Sequence, residues 1–194
     1  MIRSLGTAVV VAIGVLIISL TASWALTRDT GMLAPAVIDE ASRAATAAPL
    51  PTDSLNAGSP AAAPADVRLE TVRQEAQKAA FAWVAAAVGG ALLAALLWLA
   101  VAETRGRSVA GVQGQRSALS AWLGLLALAA VVTAGAAYYA LQLRGFGTAV
   151  SAGTLQSTIA VVMVAALATY YFGTALGVGR VMRPSVPLAT SWRR

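Results

Sequence analysis

The chain has 194 residues, of which 58% are hydrophobic and only 11% are charged, and its formal net charge is +6. A soluble core of this length could not bury so much apolar surface, so lipid must be the solvent for much of the chain. The sequence contains no cysteine and no histidine, which excludes disulfides and imidazole bases and removes the commonest ligands of zinc, copper and haem. We therefore expect no cofactor, no metal and no catalytic site.

Four apolar stretches are long enough to cross a bilayer, which takes about 20 helical residues. None of them contains a proline or an interior charge, so each is expected to form one unbroken helix. The sequence therefore predicts an all-α integral membrane protein with four transmembrane helices. The four stretches are residues 5–26, 79–102, 119–141 and 159–178.

The first helix has two interpretations. Arg3, the apolar run and the small-residue segment around Ser23 are typical of a secretory signal with a cleavage site. However, the run is long for a signal, and Trp24 suits an interfacial anchor. We expect residues 1–27 to be a retained, signal-anchor-like helix.

Residues 28–65 are rich in alanine and proline, which predicts an extended, mobile linker. Within this linker, residues 32–38 and the polar residues 39–43 offer an alternative, a short element that lies on the membrane or on a partner.

The second membrane helix is predicted to begin well before the bilayer. Asp66 is a suitable N-cap, and no glycine or proline follows before Gly89. Residues 66–104 should therefore form one long helix whose first part projects from the bilayer as a stalk. Apolar residues recur along the stalk at spacings of three and four residues and form a packing seam. This seam packs against either the same chain or a partner. Its candidate interface residues are Leu69, Val72, Ala76 and Trp83.

Charge predicts the sidedness of the chain. If the N-terminus is cytoplasmic, that side carries eight arginines and Glu103, a net charge of +7, whereas the opposite side carries six basic and seven acidic residues, a net charge of −1. The positive-inside rule then places both termini in the cytoplasm, with the loop 105–117 and the basic tail 180–194. The tail either serves topology alone or also binds anionic lipid headgroups or a cytoplasmic partner. The basic charge thus needs no nucleic-acid partner.

Frequent alanine, glycine and arginine with little lysine indicate a bacterium of high genomic GC content. The predicted location is therefore the bacterial inner membrane, with the linker in the periplasm.

Small residues recur every fourth position on two of the helices and favour close helix packing, because in lipid such residues let two backbones approach. The segment 118–179, which holds the third and fourth helices, contains one stripe and the second helix contains the other. The candidate packing residues are Ala165, Thr169, Gly173 and Gly177 on the fourth helix and Ala82, Ala86, Gly90 and Ala94 on the second.

The segment Tyr170-Tyr171-Phe172-Gly173-Thr174 resembles the end of small phage-type holin proteins with three membrane helices. The resemblance covers only these residues, and the long linker and the extra first helix depart from the holin pattern. It implies a homo-oligomeric pore.

Three functions are compatible with these patterns. The first is a non-catalytic accessory or assembly subunit of a larger inner-membrane complex. Its partners would be membrane lipids and other subunits. This function is favoured because the predicted spans carry no charged residue of the kind that marks transport sites. The second is a holin-like homo-oligomer, with the hydroxyls and tyrosines of the last two helices lining a passage. The third is a membrane enzyme or carrier that uses Glu103, Arg105 and Arg107.

Overall fold

The computed structural model describes residues 2–28, 30–47, 65–106, 112–143 and 146–177. Within these ranges the protein is nearly all helical, as the sequence predicts, and its one strand-like pairing is a single bridge between Leu33 and Val150. The elements in chain order are α1 (Ile2–Leu26), a 3₁₀ turn (Thr30–Met32), α2 (Pro35–Ala47), α3 (Ala65–Gly106), α4 (Val112–Leu143), α5 (Phe146–Ala149) and α6 (Ala152–Gly177).

Four of these helices, α1, α3, α4 and α6, are long and apolar enough to cross a membrane. This confirms the predicted number of helices that could span a membrane. The outside of the bundle is also apolar, since Ile18, Leu93, Val131 and Val164 are each more than 60% exposed. Such an exterior is unfavourable in water and suits a lipid environment, which points to a membrane location.

The core of the bundle lies where α1, α3 and α6 meet. A Cβ atom built at Gly173 of α6 would lie 3.5 Å from Ala95 Cβ of α3 and 3.8 Å from Ala8 Cβ of α1. Ala8 is near the start of its helix whereas the other two residues are near the ends of theirs, so α1 runs antiparallel to α3 and α6. Helix α4 packs against α3 and α6.

The helices extend beyond the predicted apolar stretches. Helix α3 has 42 residues and includes all of segment 66–104, with Asp66 inside its first turn. Helix α4 already begins at Val112, so the second half of the predicted loop 105–117 is helical. Helix α6 begins at Ala152, because the Ser151 hydroxyl accepts a hydrogen bond from the Thr154 amide at 3.4 Å and caps this helix.

Segment 28–65 differs from the expected extended linker, because α2 occupies Pro35–Ala47. Proline at the first helical position is compatible with a helix, since its missing N–H would have no partner there. Val37, Ala41 and Ala44 then share one face, and Ala41 is buried. Residues 48–64 of the segment and the tail 180–194 lie outside the described residues.

Candidate functional site

One end of the bundle carries a small compact layer that we call the cap. It consists of the 3₁₀ turn, α2, α5 and residues 65–78 of α3. Backbone hydrogen bonds join two of its segments, from the Ala34 amide to the Ala149 carbonyl at 3.0 Å and from the Ser151 amide to the Met32 carbonyl at 2.7 Å. The chain after α1 is thereby tied to the start of α6.

The predicted seam on the first part of α3 packs against the cap, and three of its four residues belong to the part of α3 inside the cap. Ala76 is buried in a cluster with Met32, Leu33 and Val150. The other seam residues, Leu69, Val72 and Trp83, are half-buried against the same cluster. Of the two interpretations of this seam, packing against the same chain is therefore the one that the described contacts provide.

Arg73 connects the cap to the end of α1. Its guanidinium donates to the carbonyl of Arg28 at 2.7 Å and to that of Thr27 at 3.5 Å, and it forms an ion pair with Glu70. The carbonyls at the end of a helix have no partner within the helix, and a cation there also faces the negative end of the helix dipole. Arg73 thus fixes the chain directly after the last turn of α1 from a neighbouring helix.

The small-residue stripe of α6 faces the interior of the bundle. Ala165, Thr169, Gly173 and Gly177 are all buried. The close approach of Gly173 to α1 and α3 shows that three helices meet along this face.

The stripe of α3 lies on a different face from its core contacts. Ala82, Ala86 and Gly90 are exposed and Ala94 is half-buried. A separate set of small and branched residues on α3 is buried instead, namely Ala80, Val84, Val88, Ala91 and Ala95. The two stripes therefore do not meet within the chain.

The exposed stripe instead forms one wall of a groove between α3 and α4, which we call the lateral groove. Its volume is about 340 Å³. Ala86, Gly90 and Ala94 line it from α3, and Leu128 and Val132 are among the residues that line it from α4. No other atom lies within 4 Å of a Cβ built at Gly90, so the groove is open beside this glycine. Its lining is apolar almost throughout, with Thr133 the exception.

At the end of the bundle away from the cap, α4 is fixed by hydrogen bonds from aromatic side chains. Trp98 Nε1 of α3 donates to the Ala118 carbonyl at 3.2 Å, and Tyr170 Oη of α6 donates to the Trp122 carbonyl at 2.9 Å. Both donors are fully buried. Trp98 and Trp122 are not among the residues predicted from the sequence, although a tryptophan that is buried in a membrane helix usually needs a partner for its indole N–H.

The polar residues assigned to a passage do not share one exposed face. Tyr138 and Tyr139 are exposed on α4, whereas Thr169, Tyr170 and Thr174 are fully buried within the chain. Three of the four buried hydroxyls on α6 make intramolecular hydrogen bonds; the fourth, that of Thr158, has no such partner.

The polar cluster of the enzyme hypothesis is not described in atomic detail. The side chains of Glu103 and Arg105, and the whole of Arg107, lie outside the described part of the chain. Within the described part, no group of three acidic, histidine or cysteine residues is placed to hold a metal.

A second groove, of about 530 Å³, lies in the cap between α2, α3 and α5. Unlike the lateral groove it has charged residues in its lining, Glu40 and Arg68, beside Val37 and Val72. It therefore offers a partly polar surface outside the apolar part of the bundle.

Comparison with known proteins found no family model, no curated protein and no solved structure that matches this chain. The function of the chain is therefore inferred from its own geometry.

Proposed function

We propose that this protein is a non-catalytic accessory or assembly subunit of a larger protein complex in the bacterial inner membrane. The observation that supports this proposal best is the lateral groove, an open apolar cleft with small residues on one wall. The occupant that we assign to it is a transmembrane helix of a partner subunit.

The length and lining of the groove support a helix as its occupant. On α3 the groove extends from Trp83 to Leu97, which corresponds to about 21 Å along the helix axis, a large part of the hydrocarbon thickness of a bilayer. Gly90 and the two alanines of the stripe expose backbone to a neighbour. In lipid, helices associate through such close contact, because the hydrophobic effect no longer drives them together.

The cap suits a second contact with the same complex. Its groove places Glu40 and Arg68 near apolar side chains, a mixture that is common at interfaces between proteins. With both termini cytoplasmic, the cap lies in the periplasm, where it would contact a periplasmic part of the partner.

The test is purification of the tagged full-length chain from its native membrane in a mild detergent, followed by identification of proteins that copurify in stoichiometric amount. Gly90→Leu places a larger side chain in the groove at a position where no atom lies within 4 Å of a Cβ. We expect this variant to fold and to lose the partners. Gly124→Leu is the matched control, because Gly124 is exposed on α4, has equally open surroundings and does not line the groove.

Three outcomes would contradict the proposal. The chain alone as a monodisperse monomer would leave it without a partner, and a ring of identical copies that makes the membrane leaky would favour the holin-like pore. Partners that remain bound to Gly90→Leu would show that the lateral groove is not the docking surface.

A further inference from the structure

Two buried hydroxyl groups in the described helices have no hydrogen-bond partner. They belong to Ser23 of α1, which is 1% exposed, and Thr158 of α6, which is 0% exposed. Other buried threonines, such as Thr27, Thr169 and Thr174, donate to the carbonyl four residues earlier at 2.7–2.8 Å. A buried hydroxyl without a hydrogen-bond partner is unfavourable, so we expect a ligand to form hydrogen bonds with these two oxygens.

The register of α1 and α6 places Ser23 and Thr158 at the same level of the bundle. Ala8 of α1 contacts the position of Gly173 on α6. The helices are antiparallel, so moving 15 residues along each from this contact leads from Ala8 to Ser23 and from Gly173 to Thr158. Because both helices rise by about 1.5 Å per residue, Ser23 and Thr158 lie at the same level of the bundle.

Helix α3 supplies the third wall at this level. Ala95 also contacts the position of Gly173, and 15 residues before Ala95 the chain reaches Ala80, which is 0% exposed. The hydrogen bond from Arg73 to the Arg28 carbonyl shows that α1 and α3 remain neighbours up to the cap. Ala80 belongs to the cap cluster, which therefore adjoins the site.

We propose that Ser23 and Thr158 bind one water molecule at this junction of α1, α3 and α6. Each hydroxyl offers one donor and acceptor lone pairs, and a water can donate to one of them and accept from the other. Buried waters typically occupy such sites, between polar groups that lack protein partners. Ala80 presents only a methyl group there, and the bridging water links α1 to the rest of the bundle at this level.

A double-mutant cycle on the full-length chain in detergent tests the shared water, with the melting temperature followed by circular dichroism. Ser23→Ala and Thr158→Val each leave one hydroxyl unpaired, so we expect each single variant to lower Tm by roughly 2–4 °C. The double variant removes both polar groups, and we expect it to lower Tm by no more than one single variant does. Additive losses in the double variant would overturn the proposal.

The control cycle combines Ser23→Ala with Thr169→Val. The Thr169 hydroxyl donates to the Ala165 carbonyl of its own helix and lies about 16 Å along α6 from Thr158, so these two losses should add. A high-resolution structure then separates a water from a direct contact. An ordered water within hydrogen-bonding distance of both oxygens supports the proposal, and a direct bond between the two hydroxyls overturns it.

Discussion

Trp122 Nε1 of α4 donates a hydrogen bond of 3.0 Å to Thr174 Oγ1 of α6, and both residues are buried. The same threonine hydroxyl donates to the Tyr170 carbonyl at 2.8 Å, and the rings of Tyr170 and Trp122 lie 5.4 Å apart. Two helices are thus joined by a polar contact inside an apolar bundle. The residues of α4 that line the lateral groove begin at Leu125, three positions after Trp122, so this contact fixes one end of the wall that a partner helix would meet.

The first prediction concerns this contact. Thr174→Val keeps the shape of the side chain but leaves the indole N–H of Trp122 without an acceptor. We expect a loss of about 1–3 kcal/mol in the free energy of unfolding, the usual cost of leaving a buried donor without an acceptor. The measurement is unfolding in mixed detergent micelles, followed by tryptophan fluorescence.

Thr169→Val is its matched control. Thr169 is on the same helix and equally buried, but its hydroxyl serves only a carbonyl of its own helix. Equal losses for the two valine variants would show that the bond between α4 and α6 adds no stability.

The second prediction concerns Gly173. A methyl group fits there, since its carbon would lie 3.5 Å from Ala95 Cβ and 3.8 Å from Ala8 Cβ, so Gly173→Ala should unfold like the wild type. Gly173→Leu places a larger side chain between three helices and should cost about 1–3 kcal/mol. Gly14→Leu on α1 is the control, because no atom lies within 4 Å of a Cβ at that position. Similar melting temperatures for the two leucine variants would contradict close packing at Gly173.

The difference between the two small-residue stripes shows which features of the fold the sequence predicts and which it does not. Hydropathy and length are sufficient to predict the four apolar helices, because only an unbroken apolar helix satisfies its backbone in lipid. They do not identify the face of α3 that packs inside. Ala80 and Ala91 face the core whereas Ala86 and Gly90 face the groove, and in a bilayer both faces are apolar and small.

The cap was harder to predict for a different reason. The folded structure of the cap depends on contacts between segments far apart in the chain, such as the bridge of Leu33 with Val150. Local composition indicates a linker there, since alanine and proline are frequent. Tertiary packing against Ala76 and Ala80 is what gives the turn around Met32 a fixed position, and local sequence patterns do not show it.

The third prediction concerns the hydrogen bonds of Arg73 at the end of α1. Arg73→Ala removes hydrogen bonds to the carbonyls of Thr27 and Arg28, and we expect it to cost about 1–2 kcal/mol. Amide hydrogen exchange near the end of α1 should become faster. Glu70→Gln removes only the ion pair and should have a smaller effect, because a partly exposed ion pair contributes little. Exchange rates that change equally in the two variants would assign the role to the ion pair instead.

The fourth prediction concerns sidedness. The natural chain has no cysteine, so a single introduced cysteine is the only thiol that can react. Glu40 of the cap and Ser117 near the start of α4 are both exposed and belong to opposite ends of the bundle. With net charges of −1 and +7 on the two sides, the positive-inside rule predicts that Glu40 lies in the periplasm. In intact bacterial cells, a membrane-impermeant maleimide should therefore label Glu40→Cys and not Ser117→Cys, and both should react after the cells are lysed. The reverse pattern would place the cap in the cytoplasm, and any partner domain that meets its groove would then have to be cytoplasmic.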